Sequence, residues 1–152
     1  MIKKNKGFTL IELLVAIGIM AVLTALAAFN FNQARVRSRD VQRKSDLSQL
    51  QKALEVYKND TNAYPAANFQ STLMSPVAYI KDTFQDPRAS EWIDYQYTPL
   101  LSNTAYSIMS CLENAADPTK TSISSGLCNA FGSADCTCGP TNTGVMYIIT
   151  NP

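Results

Sequence analysis

The stretch Lys6-Gly7-Phe8-Thr9-Leu10-Ile11-Glu12-Leu13-Leu14-Val15-Ala16-Ile17-Gly18-Ile19-Met20-Ala21-Val22-Leu23-Thr24-Ala25-Leu26-Ala27-Ala28-Phe29 decides how the chain is built. From Phe8 to Phe29, 18 of 22 residues are apolar. As a helix this run spans about 33 Å at roughly 1.5 Å per residue, enough to cross a bilayer core. Lys3, Lys4 and Lys6 precede it, and a basic start before an apolar run is a membrane-targeting pattern. An ordinary secretory signal has an apolar core of about 7–15 residues and a small-residue cleavage site. Ala25–Ala28 imitate such a site, but the run is too long for that class. Its one charge is Glu12. A carboxylate at a helix centre in the bilayer costs roughly 2.5–3.5 kcal/mol, less near the interface, and about 6 Å of helix separates Glu12 from Phe8. Glu12 therefore either snorkels to the interface or meets a partner inside the membrane.

Outward from this run, the chain of 152 residues is one domain's worth. It has a formal charge of +1 and 16% charged residues, which gives no basis for bulk electrostatic binding of nucleic acid. There is no histidine, so His-based acid–base catalysis, Ser-His-Asp and Cys-His triads and His-containing zinc sites are excluded. No nucleophile motif or phosphate loop is present. The sequence yields no catalytic residue, cofactor or metal site, and the chain reads as a non-enzyme.

Lys6-Gly7-Phe8-Thr9-Leu10-Ile11-Glu12-Leu13 resembles the processing site of type IV pilins and type II secretion pseudopilins, with a short basic leader ending in Gly before Phe-Thr-Leu-Ile-Glu and a long apolar helix. A weaker similarity runs through Asp60-Thr61-Asn62-Ala63-Tyr64-Pro65. The resemblance implies that a membrane prepilin peptidase cuts between Gly7 and Phe8 and methylates the new amino group of Phe8. It implies that Glu12 pairs with the Phe8 amine of a neighbouring subunit. Two such charges stranded in an apolar filament core each lose several kcal/mol by desolvation unless they meet. The implied partners are copies of the same chain in a helical filament, the peptidase, inner-membrane assembly machinery and, before assembly, the membrane itself. The implied location is the cytoplasmic membrane as a single-pass precursor, then an extracellular filament. A pilus subunit is the leading reading and a pseudopilin of a secretion or DNA-uptake system the alternative. An anchored enzyme and a thiol-redox protein using Cys136 and Cys138 are weaker ones.

Residues 1–7 are then a leader, 8–60 one long helix with 8–29 its membrane part, and 61–152 a head. No Pro occurs before Pro65, and Gly18 is the one Gly between Phe8 and Asp60, so helix can continue to about residue 59. Leu47, Leu50, Leu54 and Tyr57 make an apolar stripe flanked by Val41, Ala53 and Val56, which is expected to pack on the head. Arg43, Lys44, Lys52 and Lys58 are placed on the opposite side. Arg35, Arg37, Arg39, Arg43 and Lys44 outnumber the leader lysines, so the positive-inside rule alone does not put the C-terminus outside. The resemblance and the cysteines set that orientation. This basic stretch suits contact with a neighbouring subunit or with lipid headgroups.

Pro65 ends the helix, because the residue before Pro is pushed out of helical geometry. Residues 66–92 read as irregular with a helical turn near 69–74. Ile93–Tyr97, Ala105–Cys111 and Val145–Ile149 alternate as strands, giving a small antiparallel sheet packed on the helix, an α+β fold, which the resemblance implies is pilin-like. Trp92 precedes the first strand. Between Met109 and Val145 the chain is polar and aperiodic, and Cys111, Cys128, Cys136 and Cys138 are expected to staple it as two disulfides. One residue separates Cys136 from Cys138, too tight a ring for a bond between them, so each pairs with Cys111 or Cys128. The related secretion pseudopilins have a calcium loop near the C-terminus. Here Asp135 is the one acid of the loop beyond Asp117 at its start, too few oxygens for calcium. Asn59-Asp60-Thr61 spells a glycosylation tripeptide, a pattern that also arises by chance.

Overall fold

A computed structural model describes residues 7–66, 68–121, 126–132, 136–141 and 143–151. The leader lysines and Asp135 lie outside the described residues. The first element is helix α1 (Leu10–Thr61), 52 residues. The chain divides into two compact units, Met1–Arg35 and Val36–Pro152.

Within the first unit the helix has no internal partner among the described residues. Leu10 is 81% exposed and Ile11, Met20 and Leu26 each exceed 60%, which water does not tolerate over six turns and a bilayer or neighbouring helices do. This segment is long and apolar enough to cross a membrane.

In the second unit Leu47, Leu50 and Leu54 are wholly buried and Ala53 nearly so. Val41 and Val56, read from sequence as flanks of this stripe, are instead 65% and 51% exposed, because they fall on the far side of the helical turn. Opposite the leucines stands a four-stranded antiparallel sheet in the order β1 (Gln96–Leu100), β2 (Ala105–Leu112), β4 (Gly144–Asn151) and β3 (Thr137–Cys138). Two short helices, α2 (Phe69–Met74) and α3 (Gly126–Ala130), complete the unit.

Strand β2 is buried along its whole length, since both of its faces are covered. One face joins Tyr106 and Ile108 to Leu47, Leu50, Leu54, Tyr64, Phe69, Leu73 and Tyr95. The other joins Met109 and Cys111 to Trp92, Met146, Cys128, Cys136 and Cys138. Tyr147 and Ile149 of β4 pack on the first core and Ile148 on the second. The sequence foresaw one core; the cysteine loop supplies another.

Two expectations need correction. The first strand begins at Gln96, not Ile93: the Asp94 carboxylate accepts hydrogen bonds from the Asp86 and Tyr95 N–H groups, at 2.9 and 2.8 Å, and ties that irregular segment to Asp86 instead of to a strand. The cysteine loop carries α3 and β3 rather than only irregular chain. The disulfides are Cys111–Cys138 and Cys128–Cys136. In the chain-entropy picture the loops they close contribute about 3.5 and about 2.5 kcal/mol respectively.

Candidate assembly site

Helix α1 begins at Leu10, which makes Thr9 its cap and Glu12 the third helical residue. Both donors of Thr9 converge on one oxygen of Glu12: the Thr9 N–H at 2.9 Å and its hydroxyl at 2.6 Å, each to Oε2. The Glu12 N–H returns a bond to Thr9 Oγ1 at 3.3 Å. This is a capping box, readable in sequence as Thr-x-x-Glu, and it satisfies donors that a helix start otherwise leaves bare. Among the described residues Oε1 of Glu12 has no donor, so one oxygen is held and the other faces outward. Beside it Ile11, Val15, Ala16 and Ile19 line a groove of 340 Å³. Phe8 is 79% exposed, and a Cβ built on Gly7 meets nothing within 4 Å, so the backbone here is open to approach.

The second unit holds a polar centre that sequence reading missed. Arg43, expected on the outer side of α1, is wholly buried. Its guanidinium donates twice to Asp86, from Nε at 2.6 Å and Nη2 at 2.9 Å, while Nη1 reaches Asp40 and Glu113, each at 2.8 Å. Arg39 grips Glu113 through two bonds of 2.6 Å, and Arg88 adds one at 3.1 Å. Asp40 accepts the Glu113 and Asn114 N–H groups, both at 2.9 Å. Lys44 donates to Asp117 at 2.6 Å. Of the basic stretch 35–44, Arg39, Arg43 and Lys44 are thus bound inside their own unit. The reading of those three as contacts for lipid or a neighbour is corrected, because each finds a carboxylate from residues 86–117 first.

Burial alone would raise the Glu113 pKa, but hydrogen bonds from Arg39 and Arg43 and both positive charges outweigh it and hold it at about 2. Burial disfavours the Arg43 cation, yet its bonds to Asp86 and Glu113 leave it firmly charged. Asp117 is likewise lowered, burial being overcome by Lys44 and Thr119. Asp46 shifts upward, chiefly through burial; the Tyr95 hydroxyl, donating at 2.7 Å, offsets this only in part. Beneath the guanidiniums lies Trp92, with Arg43 5.2 Å and Arg88 5.7 Å from its ring.

The family model "Prokaryotic N-terminal methylation motif" matches residues 2–28. The type II secretion system core protein G of Escherichia coli is 30% identical over 103 residues, covering 59% of this chain and 71% of the relative. The chain belongs to the type IV pilin and type II secretion pseudopilin family. The Klebsiella pneumoniae core protein G is 31% identical, over 59% of this chain and 74% of its own. The type IV wide pilus major component of Thermus thermophilus is 42% identical over 62 residues, covering 41% of this chain and 47% of the relative. No solved structure gives a significant match.

Pilins and pseudopilins are structural subunits, and the geometry agrees in kind. Gly7, Phe8 and Glu12 stand together at the start of the pilin helix, whereas Cys111, Cys128, Cys136 and Cys138 are buried in the second unit. Among the described residues no three Cys, Asp or Glu side chains form a group that could hold a metal ion.

Proposed function

We propose that this chain is a pilin: a structural subunit, processed between Gly7 and Phe8 and methylated on Phe8, that stacks α1 into an extracellular type IV pilus-like filament. The observation that carries this reading is the capped Glu12 with one open oxygen on a helix otherwise apolar and unpartnered over six turns. In the membrane the apolar faces meet lipid; in the filament they meet other copies. The Phe8 ammonium of a neighbour supplies the donor and counter-charge for Oε1, and that pairing sets axial register, since two desolvated charges resist displacement from each other. Prepilin peptidase and the inner-membrane assembly machinery are the partners this route requires.

Glu12→Ala tests it. The variant should insert into the membrane and be processed, yet form no filaments in the sheared surface fraction. Normal filaments from it would sink the register role. The alternative, a pseudopilin of a secretion or DNA-uptake system, draws support from the longer match to core protein G, 103 residues against 62 for the wide-pilus component. Electron microscopy of the cell surface separates the two, because a pseudopilus leaves no long fibres.

A further inference from the structure

With Arg39, Arg43 and Lys44 bound internally, Arg35 stands out within the first unit. It is exposed, and no carboxylate lies within ion-pair distance of it among the described residues. No acidic residue occurs between Glu12 and Asp40. Its guanidinium folds back over the Phe31 ring, 4.6 Å from the centroid, in the direction that side chains lean on a helix. Below it, Thr24, Ala27, Phe31 and Asn32 line a groove of 420 Å³. Thr24 spends its hydroxyl on the Met20 carbonyl at 2.8 Å, so its methyl group is what the groove wall presents. Thr24, Ala27, Phe31 and Arg35 follow one another at three and four residues, a single continuous helix face.

We infer that this face is a phospholipid site, taking an anionic lipid beside the unassembled subunit. An acyl chain lies in the notch over Ala27 against the Phe31 ring, and the Arg35 guanidinium holds the headgroup phosphate. The heights agree. Arg35 is six residues beyond Phe29, about 9 Å, and its backward lean returns the charge to a headgroup layer roughly 5–7 Å deep. Planar guanidinium suits phosphate, and an aromatic with a basic residue is a common interfacial pair. This inference rests on the membrane-inserted stage of the proposed function, and it implies that the lipid is shed when the subunit leaves the bilayer.

The test uses the full chain in nanodiscs of equal phosphatidylcholine and phosphatidylglycerol, with the lipid that stays bound quantified after partial extraction by mild detergent. Wild type should retain phosphatidylglycerol about fivefold over phosphatidylcholine, the effect of one well-placed basic residue near a bilayer surface. Arg35→Gln should bring the ratio to parity, and so should Ala27→Phe, which fills the notch and keeps every charge. Arg37→Gln removes an equal charge from a different helix face and should leave the preference within about twofold. Excess inorganic phosphate should not displace the lipid. No preference in wild type, equal loss in Arg35→Gln and Arg37→Gln, or stripping by inorganic phosphate would each overturn the site. A chain that fails to enter nanodiscs at all overturns instead the membrane reading beneath it.

Discussion

Replacing Arg43 by Met removes the cation that bonds Asp40, Asp86 and Glu113 together while keeping an unbranched side chain in its place. Arg39 and Arg88 still reach Glu113, but Asp86 loses its bidentate partner and is left a buried charge. Breaking a buried pair from one side costs about 3–5 kcal/mol, and the apolar stem of Met recovers some of it, so a net loss of roughly 3 kcal/mol is expected. There is a pH signature as well. The Glu113 pKa falls from 4.5 to about 2 on folding. A lowered folded value means stability that is full above pH 4.5 and is lost as pH falls toward 2, on the order of 3 kcal/mol. Asp46, whose pKa is raised, works in the opposite sense and regains a little stability as it protonates. Urea unfolding of the full chain in detergent micelles, followed by the fluorescence of Trp92, the chain's one tryptophan, reads both effects. Arg43→Met should be less stable at pH 7 and should show a shallower acid loss, since Glu113 has lost one of its two principal donors. A variant within about 1 kcal/mol of wild type at pH 7, with an unchanged acid limb, would refute the claim that Arg43 organises this centre.

Leu50→Ala empties a wholly buried position on the helix face toward the sheet and should cost about 2–5 kcal/mol in the same denaturation assay. Gly144→Ala places a methyl 2.6 Å from Trp92 Cζ3 and 2.8 Å from Cys111 Sγ; Trp92 and the disulfide must both shift, so a loss of at least about 2 kcal/mol with altered tryptophan emission is expected. Cys111→Ser with Cys138→Ser opens the larger loop and should lower stability by about 3.5 kcal/mol. The Cys128→Ser, Cys136→Ser pair should lower it by about 2.5 kcal/mol, a ranking that differential scanning calorimetry can check.

What sequence made legible is what periodicity and local chemistry control. The apolar run from Phe8 to Phe29, the leucines at 47, 50 and 54 and the stop at Pro65 each announce themselves within a few residues. The short helix at 69–74 and two of the four strands, β2 and β4, followed the same logic, while the alternation at 93–97 placed β1 three residues too early. Arg43 escaped because a basic residue inside a basic stretch reads as solvated, although its four-residue spacing from Leu47 puts it on the buried stripe; two of its three carboxylates, Asp86 and Glu113, lie far away in sequence. The partners of the cysteines were narrowed by the one-residue gap between Cys136 and Cys138, but the pairing follows from β4 lying between β2 and β3, and the β2–β4 pairing is a long-range fact. The Thr9–Glu12 box was legible in spelling and passed over, since the apolar context drew attention to the charge alone.

The most direct test of the central claim is intact mass with N-terminal sequencing of the mature chain recovered from cells. A pilin processed as proposed begins at Phe8, carries one methyl group on its amino nitrogen and lacks four thiol protons for two disulfides. A chain that begins at Met1, or one cut after Ala28, would contradict it.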